Sequence, residues 1–137
     1  MGDSTRSMNA NETNDTNGKD RRRIFHVSSR ENIKELRDEI LRLHGFEVAS
    51  TVYYGNALEE VSRQEYDLVM IDVDAEKRVE SAQDLCDAIK RAIPEQHVVF
   101  VCNYRVAIES DCPDDIIRAE FNPEALVQGV QQALEKS

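Results

Sequence analysis

Between residue 24 and the C-terminus, short apolar runs alternate with residues repeating at three- and four-residue steps, and this alternation leaves few architectures open. Ile24-Phe25-His26-Val27 is followed by Ile33, Leu36, Ile40 and Leu43; Phe46 to Val52 by Ala57, Leu58 and Val61; Asp67-Leu68-Val69-Met70-Ile71-Asp72 by Leu85, Ile89 and Ile93. His97-Val98-Val99-Phe100-Val101-Cys102 and a weaker run around Ile116-Ile117 lead to Leu126, Val130 and Leu134. The runs are apolar throughout rather than alternating, as strands are when helices cover both faces, so the pattern predicts a doubly wound α/β fold with a five-stranded parallel sheet.

Local signals place the boundaries. Ser28 and Ser29 stand where a hydroxyl caps a helix, with Glu31 in capping-box spacing after Ser28, and Gly45 suits the helix end. Asn56 is placed to cap a short second helix, the stretch Val73 to Glu80 reads as a loop, and Ser81 with Asp84 opens a third helix that Pro94 stops. Asn122-Pro123-Glu124 is a strong helix start. The span from Cys102 to Ala119 is several residues short for a strand connection containing a full helix, so a fourth helix is expected to be short or irregular.

The 137 residues suffice for one domain and some slack. The slack is residues 1–23, whose apolar members are Met1, Met8 and Ala10 and whose polar remainder cannot offset the entropy of ordering, so a disordered tail is expected before a domain over 24–137. The tail holds five basic and four acidic side chains, which leaves 12 basic against 23 acidic in the body. Such a field suits neither a phosphate backbone nor an anionic membrane, and no nucleic-acid or membrane partner is expected. Arg21, Arg22 and Arg23 read as a solubilising boundary, and the Asn-x-Thr triplets at Asn11 and Asn14 as incidental. With no signal-peptide core and no spanning run, a soluble cytoplasmic protein is expected. Cys86, Cys102 and Cys112 form no CxxC pair and are odd in number, so reduced thiols are expected. His26, His44 and His97 lack metal-ligand spacing and are expected at surfaces or strand ends.

In open α/β sheets a ligand sits beyond the carboxyl ends of the strands, which selects Ser28, Ser29, Asp72, Val73, Cys102, Asn103, Ala119 and Glu120. At these residues the stretch 24–136 resembles the receiver domain of two-component response regulators. Tyr66 to Val73 is similar to that family's third strand, ending in the phospho-accepting aspartate, a position that Asp72 takes. Asn122-Pro123-Glu124-Ala125-Leu126 resembles its last helix start. The resemblance implies a flavodoxin-like, receiver-type fold and a role in bacterial phosphorelay signalling, without metabolic catalysis.

The pocket departs from the family. The two metal-holding acids are Ser28 and Ser29, the hydroxyl position is Cys102, the lysine position Ala119, and the aromatic switch position Ile116. Asp74 to Arg78 replaces a Pro-Gly turn, and Arg118 lies one residue from the lysine position, so on a strand it points to the opposite face. Two serines cannot attract magnesium as two carboxylates do. Asp72 is either a retained acceptor or an acid tolerated at an exposed strand end; with Asp74 it makes a weak metal site, while Glu120 adds charge that opposes a phosphoryl group. The serines read as caps, having no histidine placed as their base, and Cys102 as a small buried hydrophobe more than a reactive thiol.

Two functions of different class follow: a pseudo-receiver that needs no cofactor and binds a protein partner, with a homodimer left open, or a receiver phosphorylated on Asp72 with Mg2+ by a histidine kinase. A third, a nucleotide- or small-anion-binding module, lacks a Gly-rich loop after the first strand. With the last helix ending near Ser137, output is expected through another protein.

Overall fold

The apolar runs pair as one parallel five-stranded sheet in the order β2-β1-β3-β4-β5. The chain runs β1 (Arg23–Val27), α1 (Glu31–Leu43), β2 (Glu47–Thr51), α2 (Tyr54–Arg63), β3 (Leu68–Val73), a 3-10 turn (Glu76–Arg78), α3 (Val79–Ala92), β4 (Val98–Cys102), β5 (Asp115–Arg118) and α4 (Pro123–Lys136). This computed structural model describes residues 21–103, 105–109, 111–119 and 122–136. The fold is the doubly wound α/β sheet that the sequence pattern predicts, and no described residue between β4 and β5 is helical. Of the expected tail, residues 1–20 lie outside the described residues. Arg23 opens β1 instead of preceding it: its backbone N–H donates to Asp67 Oδ2 at 2.8 Å and its guanidinium lies 5.5 Å from the Tyr66 ring centroid.

Alternation along each strand divides the core in two. Phe25, Val27, Val69, Ile71, Val73, Val98 and Phe100 pack against Ala57 and Val61 of α2 and Ala82, Leu85 and Ile89 of α3. On the other face Ile24, Leu68, Met70, Val99, Val101 and Ile117 pack against Leu41 of α1 and Leu126, Val130 and Leu134 of α4. The approach of α4 to β5 is close at Gly129, where an added Cβ would lie 2.6 Å from Ile117 Cγ2.

Several boundaries differ from the expected ones. No side chain caps α1, whose N-cap is Arg30, so Ser28 and Ser29 are not its caps; the Ser28 hydroxyl turns back to the Arg30 backbone at the limit of hydrogen bonding. Helix α2 begins at Tyr54, ahead of Asn56, and α3 at Val79, ahead of Ser81, because the 3-10 turn leads directly into it. Asn122 does cap α4, accepting the N–H groups of Glu124 and Ala125 at 3.0 and 3.2 Å, and Gly45 takes φ +92° after α1. The stripe expected on α1 is rotated: Leu36 and Leu43 are 50% and 74% exposed, while Arg37, Asp38 and Leu41 are buried.

The expectation of reduced thiols fails for two cysteines. Cys86 of α3 and Cys112, with Cα atoms 6.2 Å apart, form a disulfide, within the separation such a bond spans. The pairing was invisible in the sequence because the 26-residue separation resembles no motif. Cys102 remains a buried free thiol.

Candidate functional site

A strand that is apolar on both faces has no ordinary place for an imidazole, yet His26 sits in the middle of β1 with no exposed surface. It pairs in register with Met70, and Asp72 lies two residues further along β3, so both side chains point to the α1 side of the sheet. There α1 supplies Arg37 and Asp38, also buried. His26 Nδ1 lies 2.7 Å from Asp38 Oδ1 and His26 Nε2 lies 2.9 Å from Asp72 Oδ2; Arg37 Nη1 lies 2.9 Å from Asp72 Oδ1. The two contacts to Asp72 are ion pairs by distance, with donor directions outside hydrogen-bond geometry.

The electrostatics follow from the geometry. Burial by itself favours neutral His26, but the carboxylates of Asp72 and Asp38 outweigh it and raise the imidazolium to about 9, so the ring carries both protons at neutral pH. Burial likewise opposes ionisation of Asp72, and His26, Arg37 and the Ser28 hydroxyl reverse that, holding the carboxyl below its ordinary range. Asp38 is also lowered, by His26, Ser50 and Lys34 against burial. Ser50 Oγ donates to Asp38 Oδ2 at 2.6 Å, and Lys34 Nζ donates to Ser50 Oγ at 3.2 Å. On the other side, the Tyr54 hydroxyl donates to the Asp72 carbonyl at 2.7 Å.

Asp72 is therefore not an acid at an exposed strand end. It is 1% exposed and held between two cations that the protein itself provides. The cleft beyond the strand ends, about 330 Å3, is lined by Asp74, Cys102 and Asn103 together with Arg30, Arg37 and Arg105, and Asp72 is not among its lining residues. Magnesium does not fit this donor set. Both Asp72 oxygens face cations, Ser28 and Ser29 supply no anion, and Asp74 stands 3.9 Å from the Arg30 guanidinium. Asp72 and Asp74, the weak metal pair expected from the sequence, thus stand with their carboxylates at Arg37 and Arg30.

The remaining site residues separate. Ser28 is buried beside Asp72, and the buried Ser29 hydroxyl has no hydrogen-bond partner among the described residues. Cys102 lines the cleft from a buried position, where burial pushes the thiol upward. Ala119 is buried and Ile116 packs on the α2/α3 face, while Glu120 lies outside the described residues. Arg118 takes no lysine role: its Nη1 donates to the carbonyls of Asn103 and Val106 at 2.7 and 2.9 Å, bracing the connection to β5. His26 corrects the expectation of a surface or strand-end residue, and with Arg37 and Asp38 it is what the sequence reading missed. The available signal was positional: His26 shares a strand face with Ile24, and Arg37 stands midway between Ile33 and Leu41 at four-residue steps.

No protein-family model matches the sequence, and no curated protein matches it as a relative. Solved structures do. The chemotaxis response regulator CheY4 of Vibrio cholerae superposes with a TM-score of 0.70 at 16% identity, over 82% of this chain and 98% of that one. The response regulator TrrA of Thermotoga maritima, solved in complex with Mg2+-BeF, gives 0.70 at 24% identity over the same shares. A response regulator receiver domain protein from Methanospirillum hungatei gives 0.72 at 20% identity, over 85% and 95%. Sheet order, parallel pairing and these superpositions agree, and the chain has the fold of the response-regulator receivers.

Proposed function

We propose that this protein is a pseudo-receiver of two-component signalling, a binding module that acts through a protein partner without phosphorylation. The observation that carries the reading is the buried His26–Asp72–Arg37 contact. Phosphoryl transfer requires an accessible carboxylate, a metal to neutralise charge, and room for in-line attack. Asp72 lies behind Arg37, its charge already balanced, so the fold needs neither phosphate nor magnesium. No helix among the described residues is long and apolar enough to cross a membrane, which suits a module working in solution. The cytoplasmic location expected from the lack of a signal-peptide core completes this reading, and the Cys86–Cys112 disulfide challenges it, since such bonds are rare in reducing compartments. Thiol counting on freshly isolated protein decides that point.

The test is an amide NMR titration with magnesium and beryllofluoride on wild type and Asp72→Asn. A pseudo-receiver gives no response centred on β3 at millimolar magnesium. Shifts around Asp72 that vanish in Asp72→Asn would instead establish the alternative, a receiver phosphorylated on Asp72 with Mg2+ by a histidine kinase.

A further inference from the structure

In a body with 23 acidic and 12 basic side chains, the described lining of the strand-end cleft runs the other way: three guanidiniums, of Arg30, Arg37 and Arg105, against the carboxylate of Asp74 in the wall and that of Asp72 behind Arg37. These arginines come from three places, the start of α1, its second turn and the connection after β4, so the cluster is not the solvated face of one helix. Ile33 and Val101 add apolar wall. The first turn of α1 adds amide donors with no side-chain cap, at the end of a helix where anions are favoured. Arg37 anchors the set: its Nη1 lies 2.9 Å from Asp72 Oδ1, and that contact fixes the guanidinium at the cleft's buried side.

We propose that this cleft binds a small organic oxyanion, a phosphate ester or a carboxylate with a short apolar part, without covalent attachment. Arg30 and Arg105 take the anionic group from the exposed side, Arg37 faces it from within, and Ile33 and Val101 contact the apolar part. A volume of about 330 Å3 fits a metabolite-sized ligand and excludes a folded partner. The proposal rests on the reading of Asp72 as a carboxylate locked by Arg37, because an Asp72 freed for phosphorylation would release that arginine from its place.

The experiment is an amide NMR titration of the whole chain in magnesium-free buffer with inorganic phosphate and, separately, succinate, against sodium chloride at matched ionic strength. Expected are saturable shifts at Arg30, Asn32, Ile33, Asp74, Asn103 and Arg105. The affinity should fall by about tenfold or more in R30Q/R105Q, which loses two charge-assisted contacts. It should rise severalfold in D74N, which removes the opposing charge. Both arginine side chains are exposed, so the double variant should keep the wild-type thermal transition. The anion that binds tighter with this arginine dependence names the ligand class. Absence of saturable shifts at tens of millimolar anion, or shifts undiminished in R30Q/R105Q, would overturn the site while leaving the pseudo-receiver reading intact. Shifts that appear only when the titration is repeated with millimolar magnesium, and that disappear in D72N, would overturn both.

Discussion

The two faces of the sheet are built from the same apolar strands and do different things. The α2/α3 face is apolar from Val98 at one end of β4 to Phe100 and Val73 near the other. The α1/α4 face is equally apolar as far as Met70 and then turns ionic, with His26, Arg37, Asp38 and Asp72 buried together at the carboxyl end of β1 and β3. One face gains stability from area removed from water, indifferent to pH and partner identity. The other is held by charges that stabilise only while every member is present in the right protonation state. The contrast teaches that the carboxyl end of β3 is an architectural junction, where Asp72 meets cations that the protein itself provides.

The largest test of that contrast removes one member of the network. Asp72→Ala should destabilise by about 3–5 kcal/mol, because it leaves His26 and Arg37 buried without their counter-charge; urea unfolding reads this directly. A loss well under 1 kcal/mol would mean that the network is not a structural element.

Next comes pH. The raised value of His26 contributes stability that is complete below its unfolded value of 6.5 and is lost as pH climbs through about 9. The span corresponds to about 3 kcal/mol, from ~1.4 kcal/mol per pKa unit. The lowered values of Asp38 and Asp72 act with the opposite sign, their contribution being present above 3.8 and fading as pH falls below it. Stability should therefore fall between pH 6.5 and 9 in wild type, and His26→Gln should flatten that limb while Ile71→Ala, on the apolar face, should lower the whole curve in parallel.

Smaller effects sharpen the comparison at the α4 layer. Gly129→Ala should cost roughly 1–2 kcal/mol net, overpacking against Ile117 outweighing the better helix propensity of alanine, with no pH dependence. Asn122→Ala removes the cap of α4 and should cost about 1 kcal/mol in thermal unfolding, again at every pH.

The five strands, the α4 cap and the irregular connection before β5 were legible because each rests on local chemistry: apolar runs, an Asn-Pro-Glu start and a short spacing. The position of Asp72 was legible as well, but its state was not. Periodicity reads apolar residues, so α1 announced the face of Leu36 and Leu43 when the buried one carries Arg37 and Asp38. His26 reads as a surface residue until the register of β1 on β3 brings it beside Asp72 and Asp38 from elements far apart in sequence. The Cys86–Cys112 bond failed to show for the same reason, joining α3 to a loop with no pattern of its own.

That loop has a consequence in time. It connects β4 to β5 without a described helix, yet Arg118 holds the carbonyls of Asn103 and Val106, Glu76 accepts the N–H of Ala107, Cys112 is bonded to Cys86, and Lys90 lies 2.6 Å from Asp114. Described residues of a surface segment tied at these five points should not fluctuate as loops ordinarily do within nanoseconds to microseconds. The amide protons of Val106, Ala107, Cys112 and Asp114 should exchange only through rarer, larger openings, with the protection lifetime of a secondary-structure element.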